Sequence, residues 1–382
     1  MRWLVPIAAV LLPAAATAQG RCEIPAPAST EEPALRIGGA LRFNYVWAGW
    51  LEGSRERGGD IFFESVILQG DASIDRFSFS AQYRLAVGFQ ALRHGWIGWQ
   101  PSDELLLQVG LVPVSFGLLP YASHSWFFAL PFYVGLEDDH DVGALATWRP
   151  GRFTFHLGLF KNAEPGLIGE LRSSARLGYD VVPARVGDFE RFEEETNAVH
   201  GRAALRLGDE AIGAEVGISA RWGQLWDGTA FGDHQAAAVH VEARLHRFDF
   251  KLEAARYRFA PADGSDTVVF GAFGIPYAVA AEGSLFVAGV AYELPVELGP
   301  VERLLLYDDA SFLVKHVPGA SDSALSSLGV RVDAGPVLSW IEWIAGRNMP
   351  FVGPETAFGL AAGRSGAPWE HRLNVNFGYY FF

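Results

Sequence analysis

The chain is poor in three things, and each absence narrows what it can be. Cysteine occurs once, at Cys22, so no disulfide can form within the chain. Lysine occurs three times, at Lys161, Lys251 and Lys315, and the formal net charge is -14. A basic patch of the kind nucleic acid requires is therefore missing, and no nucleic-acid partner is expected. Beyond the first residues, no charge-free apolar run reaches the roughly 18 residues that a spanning helix needs. Catalytic signatures are lacking as well. There is no H-E-x-x-H, no Walker A, no G-x-S-x-G, and no G-x-G-x-x-G in a fitting context.

What is present is apolar and aromatic: half the residues are hydrophobic, with 28 Phe, 12 Trp, 11 Tyr and 43 Gly. That richness without a spanning helix fits a transmembrane β-barrel, and a large soluble β-sandwich is the competing reading. The ends favour the barrel. Residues 1–18 read as an export signal, with Arg2 as the charged start, Leu4 to Leu12 as the apolar region and Ala16-Thr17-Ala18 as the cleavage site. Cys22 lies close behind, but Arg21 beside it makes a poor lipobox. Residues 19–34 read as a flexible periplasmic leader, and 35–382 as the barrel. The last strand alternates Leu373, Val375, Phe377, Tyr379 and Phe381 with Arg372, Asn374, Asn376, Gly378 and Tyr380. One face suits lipid and the other water.

Between the ends, runs of about ten residues with period-two alternation recur. Phe77 to Phe89 alternates with Ser78 to Gln90, and Phe153 to Leu159 with Thr154 to Gly158. Short turns such as Asp75-Arg76, His246-Arg247 and Asp333-Ala334-Gly335-Pro336 carry turn chemistry. Long connections span 49–60, 114–140, 163–198, 223–234, 261–282 and 346–369. The fold class expected is all-β: a transmembrane antiparallel barrel of about 16 strands, with both ends on the periplasmic side and an inward-folded constriction loop. Arg256 and Arg258 break their strand's parity, at a bulge or at the membrane interface.

The stretch Gln108-Val109-Gly110-Leu111-Val112-Pro113-Val114-Ser115-Phe116-Gly117 resembles the phosphate-selective porin O and P family. The likeness continues through Asp141-Val142-Gly143 and Gly158-Leu159-Phe160-Lys161-Asn162, and reaches back through residues 63–88 and 92–99. It covers about residues 36–165. The resemblance implies a trimeric, sixteen-stranded porin of the bacterial outer membrane, in contact with membrane lipid and passing small solutes or inorganic anions, phosphate among them. It also implies that loop 114–140 folds into the channel. The apolar, aromatic content of Leu118 to Phe128 agrees with that, a loop packed against a neighbouring subunit being the alternative.

Parity places Arg42, Arg84, Arg202, Arg206, Arg221, Arg244, Arg331 and Arg372 on the inner face as pore-lining candidates. Glu215, Glu242, Asp249, Glu253 and Glu293 share that face. Constriction-loop candidates are His124, Glu137, Asp138 and Asp139. Arginines on one wall facing acid on the loop would set a transverse field. The lysine cluster of the phosphate-selective members is lacking. The acid runs Glu137-Asp138-Asp139 and Glu193-Glu194-Glu195 read as solvated loop charge or as divalent-ion bridging at the mouth, and Asp138-Asp139-His140-Asp141 as a solvated loop before a metal site. No cofactor or resident metal is assigned. The function expected is passive diffusion through a water-filled channel, with a selective anion channel using Arg42, Arg84 and Arg372 as a ladder inside that class. A non-conducting structural barrel or an enzymatic barrel is the rival. The adjacent His124 and Ser125 are a poor dyad, because neighbours on one segment point apart.

Overall fold

A computed structural model describes residues 33–165 and 172–381. The segment expected to be an export signal, Cys22, nearly all of the expected leader and Phe382 lie outside the described residues. The elements run β1 (Ala34–Ala48), α1 (Glu52–Arg57), β2 (Asp60–Ile74), β3 (Phe77–Ala86), β4 (Phe89–Ser102), β5 (Leu105–Pro113), α2 (Leu130–Tyr133), β6 (His140–Trp148) and β7 (Phe153–Asn162). Three short strands follow: β8 (Asp180–Val181), β9 (Ala184–Val186) and β10 (Phe189–Arg191). Then come β11 (Glu194–Gly208), β12 (Ile212–Trp226), β13 (Phe231–Leu245) and β14 (Phe248–Ala260), the short β15 (Thr267–Ala272) and β16 (Ile275–Ala280), β17 (Glu282–Leu298), β18 (Val301–Lys315), β19 (Ser323–Ala334), β20 (Val337–Arg347) and β21 (Glu370–Phe381).

Sixteen of these strands form a closed antiparallel barrel, and the five short ones stand outside the ring. β1 closes on β21 from Gly39 opposite Phe381 to Ala48 opposite Arg372. Closure leaves no sheet edge, which is the condition for carrying strands through hydrocarbon. Ile37, Ile97, Val109, Leu159, Ile218 and Val239 stand exposed on the outer face. Aromatic pairs lie toward its two ends, Trp47 stacked on Trp343 at 5.9 Å and Trp148 on Phe155 at 5.5 Å. This belt places the barrel in a bacterial outer membrane.

Arg256 and Arg258 also face outward, near the loop end of β14, where both meet Glu282. The register of β13 with β14 runs without a shift, so no bulge there accounts for them. Asp308 is exposed in the middle of β18, between Val290 and Leu328 on the same outer face.

Three expectations need correction. The run from Phe77 to Gln90 is two strands, joined at Val87-Gly88, because the alternation continues in phase across the turn. The 223–234 connection is a four-residue turn, since β12 and β13 stay paired up to Trp226 and Phe231. The loop after β7 ends at Glu194 rather than Ala198.

Gly110 and Gly143, two of the residues that carried the family likeness, lie where strands approach closely. Gly110 has φ of +135° and faces Gly143; a Cβ on Gly110 would stand 2.3 Å from the Gly95 carbonyl oxygen. A side chain there would push β4 and β5 apart.

Candidate functional site

The core of the molecule is inside the ring. The segment between β5 and β6, residues 114–139, leaves the wall and crosses the lumen, burying nearly every residue. Backbone taken out of water must find partners, and the opposite wall supplies them. Gly117 N–H donates to Ser219 Oγ (3.0 Å) and Leu118 N–H to Glu253 Oε2 (2.7 Å). His124 and Ser125 N–H both donate to Asp309 Oδ2 (2.7 and 2.8 Å), Trp126 N–H to Glu342 Oε1 (2.7 Å), and Leu130 N–H to Ser311 Oγ (3.1 Å). Wall cations take the loop carbonyls: Arg202 holds Gly117 O, Lys251 holds Tyr121 O and Ser123 O, and Arg221 holds Gly135 O. The loop is thus pinned to β11, β12, β14, β18 and β20 of its own barrel, and the alternative of packing on a neighbour falls.

The eight inward arginines divide by task. Arg202 and Arg221 anchor the loop. Arg331 is held by Asp333 at 2.8 Å. Arg372 lies under the loop, its guanidinium 4.9 Å from the Phe127 ring centre. Arg206 and Arg244 are exposed on the inner face toward the short turns, near Glu215 and Asp249. Arg42 and Arg84 remain beside the loop, and a third arginine joins them. Arg42 Nε meets Glu64 at 2.6 Å, and its guanidinium stands 5.7 Å from the Trp126 ring centre. Arg84 donates to the Gln82 amide oxygen at 2.9 Å and has no carboxylate at ion-pair distance among the described residues. Arg93 pairs with Asp138 and reaches Tyr121 Oη at 3.2 Å. Of the expected ladder of Arg42, Arg84 and Arg372, Arg372 packs on Phe127 of the loop, while Arg42 and Arg84 neighbour Arg93, with Glu64 and Asp138 beside them. The lysines do not gather either. Lys251 serves the loop, Lys161 meets Asn197 at 2.6 Å, and Lys315 holds the Ser321 and Gly359 carbonyls.

Arg93 and Glu64 escaped the parity argument for one reason. Each sits at a register shift, Glu64 opposite Arg42/Phe43 and Arg93 opposite Gln82/Tyr83. A bulge inserts one unpaired residue and re-aims it, so both charges turn inward against the alternation.

The acid runs are buried, which corrects the solvated-loop reading. Glu137, Asp139, Glu193 and Glu195 are each at most 5% exposed, and only Glu194 faces water. Burial pushes the Glu137 and Asp139 carboxyls well above the usual carboxylate range and raises Asp138 despite Arg93. Glu164, in the connection between β7 and β8, is pushed up to about 8 by burial and by Asp180. Neighbouring chain layers explain the burial. β15 and β16 form a hairpin that β8 extends, and its Phe270 and Tyr277 are fully buried against the loop, Tyr277 Oη donating to Tyr133 O at 2.7 Å.

His124 is held at both ring nitrogens, Nδ1 by Asp309 (2.7 Å) and Nε2 by Asp249 (2.9 Å). No nitrogen is left for the neighbouring Ser125, whose Oγ donates to Phe128 O. The pair is a loop anchor and builds no nucleophile.

No protein-family model and no curated protein sequence matches the chain. Solved structures do match in fold. Over 93% of this chain and the whole of the other, it is similar to the outer membrane channel DcaP of Acinetobacter baumannii (10% identity, TM-score 0.58). It is similar to the anion-selective porin from Comamonas acidovorans over 92% of this chain and all of that one (10% identity, TM-score 0.55). It also matches the outer-membrane expressed OmpT of Vibrio cholerae over 92% of this chain and 99% of that one (11% identity, TM-score 0.57). At such identities the likeness is one of fold, a porin-type barrel.

Proposed function

We propose that this barrel is an outer-membrane channel for passive diffusion of small hydrophilic solutes, with a mild preference for anions, phosphate included. The observation that carries this reading is a loop pinned within its own barrel, beside three guanidinium groups on the facing wall in contact with two carboxylates. Such a site needs no chemistry; lining charge and width decide what passes. Tight phosphate capture is not part of the proposal, since no lysines gather beside the arginines and a desolvated phosphate needs several charge-assisted donors at once. We also propose self-association, as a trimer, through the face bearing Asp308. An acid at mid-strand on the lipid side is unfavourable, and a protein neighbour removes that exposure.

A competing reading is a plugged, structural barrel. It is favoured by the aromatic layer of Phe132, Tyr179, Phe270 and Tyr277, packed without exposure across the outer half of the lumen. Reversal potential in planar bilayers under a KCl gradient separates the two. Anion preference that Arg84→Ala diminishes supports the channel and its arginine cluster. Cation preference, or no response to Arg84→Ala, removes the cluster's role. Absence of conductance establishes the plug.

A further inference from the structure

At the root of the crossing loop the same burial produces something different. Asp139 ends the loop, Asp141 is the second residue of β6, and Asp180 lies in β8, brought over by the connection after β7. They are 3%, 3% and 1% exposed, and one carboxylate oxygen from each lies within 4.8 Å of the others. Calcium takes oxygen ligands at about 2.3–2.6 Å, so ligands on opposite sides of one ion stand about 4.6–5.2 Å apart. Three oxygens mutually within 4.8 Å are spaced as neighbours in one coordination sphere are.

Unmet valence points the same way. Asp139 Oδ1 and Asp141 Oδ1 are buried and accept no hydrogen bond among the described residues. Glu164 adds a separate observation. One of its oxygens accepts from Leu177 N–H (2.5 Å) and Gly178 N–H (2.8 Å), while the other, Oε2, is buried and unpartnered. It lies beside the cluster: a Cβ on Gly178 would lie 3.1 Å from Asp139 Oδ1 and 3.8 Å from Glu164 Cδ, so the two carboxyls flank that glycine, and Glu164 interacts electrostatically with Asp141 and Asp180. The cations present do not balance the acid. Arg176 reaches Asp180 at 2.7 Å, while Arg221 stands off at 3.9 Å from Asp139 and 3.8 Å from Glu195. Two guanidinium groups face five buried carboxylates: Asp139, Asp141, Glu164, Asp180 and Glu195.

We propose that Asp139, Asp141 and Asp180, with Glu164 closing the shell, bind one divalent cation, and that calcium is the ion they fit. All-oxygen donors select a hard cation, and the span of the donors favours calcium over magnesium, which requires tighter octahedral ligands and keeps its waters. The ion would tie three layers together. Asp139 holds the crossing loop, Asp141 the wall, and Asp180 the connection whose β8 pairs with β15 at Gly271. The site stands whatever solute the barrel passes.

The test uses the mature full-length protein folded in detergent, stripped with EDTA and dialysed free of it. Titration calorimetry with CaCl2 and with MgCl2 is read together with thermal unfolding. Expected is one Ca2+ per chain, with a Kd near 10⁻⁴–10⁻³ M as in extracellular calcium modules, weaker Mg2+ binding, and a melting temperature that rises with Ca2+ and saturates. Asp141→Asn is expected to weaken Ca2+ binding at least about tenfold. Glu164→Gln, which keeps the acceptor for Leu177 and Gly178, gives a second variant should the first not fold. No calcium heat and no melting shift in the wild type would overturn the site. Unchanged affinity in both variants would overturn it too, since the ion would then sit on other acids.

Discussion

The tip and the root of the crossing loop are equally buried and differ in how their carboxylates are satisfied. At the tip, Glu253, Asp309 and Glu342 belong to the wall, and the loop's own N–H groups fill their oxygens. At the root, Asp139, Asp141 and Glu164 each keep an oxygen without a hydrogen-bond partner among the described residues. A buried carboxylate with its acceptors met is a structural bolt, whereas one without them is a vacancy for a proton or a cation. The difference separates the part of the loop that holds itself from the part that needs something added.

The comparison can be broken most forcefully at the tip. Asp309 accepts from two loop N–H groups and meets the His124 ring, so Asp309→Ala strands two donors and removes one partner of a buried imidazole. Loss of roughly 3–5 kcal/mol is expected, read as a lower urea midpoint together with larger current noise as the loop leaves the wall. A smaller loss at the tip would mean that the loop is held by its aromatic packing alone.

Neutralising one acid at each place sharpens the contrast through its sign. Glu342 receives Trp126 N–H and Tyr307 Oη on one oxygen and the Asn374 amide on the other. Glu342→Gln turns a donor toward donors, and a cost of roughly 1.5–3 kcal/mol follows. Asp139→Asn takes one buried carboxyl out of a crowded acid cluster, so without divalent cations it is expected to raise the melting temperature, and with calcium present to lower it. The same sign for both variants in EDTA would erase the distinction.

The smallest effect is a pH dependence. Burial alone would lower the His124 pKa, but hydrogen bonds to Asp249 and Asp309 outweigh it, with Lys251 opposing, and the result lies above the ordinary 6.5. Glu242 and the Tyr307 ring, stacked at 6.4 Å, complete its surroundings. A raised imidazole pKa contributes stability that is full below the unfolded value and is lost as pH rises through the folded one. Unfolding midpoints are therefore expected to fall as pH is taken from about 6 upward, and His124→Gln is expected to flatten that slope.

Much of this was legible in the sequence, because a barrel in lipid imposes period two on every strand. The alternation around Arg42 and Arg84 placed both on the inner face, and Glu342 could sit inside an apolar strand because that strand shows its other face to lipid. Parity failed where backbone geometry departs from it: one extra residue at Glu64 and one at Arg93 turned both inward, and no side-chain pattern marks a bulge. The acid runs failed for a different reason. Glu137, Asp139 and Glu195 look like loop charge until β8 and the β15–β16 hairpin cover them, and burial by a distant segment leaves no local trace. Glu164 and Asp180 join Asp141 from more than twenty residues away, a distance that spacing rules do not bridge.

The pairing of β1 with β21 sets the timing of assembly. The two strands that close the ring are more than three hundred residues apart in the chain, so the last seam waits for the final strand to arrive. Until then β1 and the most recent strand are both raw edges, tolerable in water under escort and intolerable in hydrocarbon. Insertion and closure are thereby made a single event. A chain shortened by its last strand should accumulate outside the membrane instead of sitting in it as a fifteen-stranded fragment.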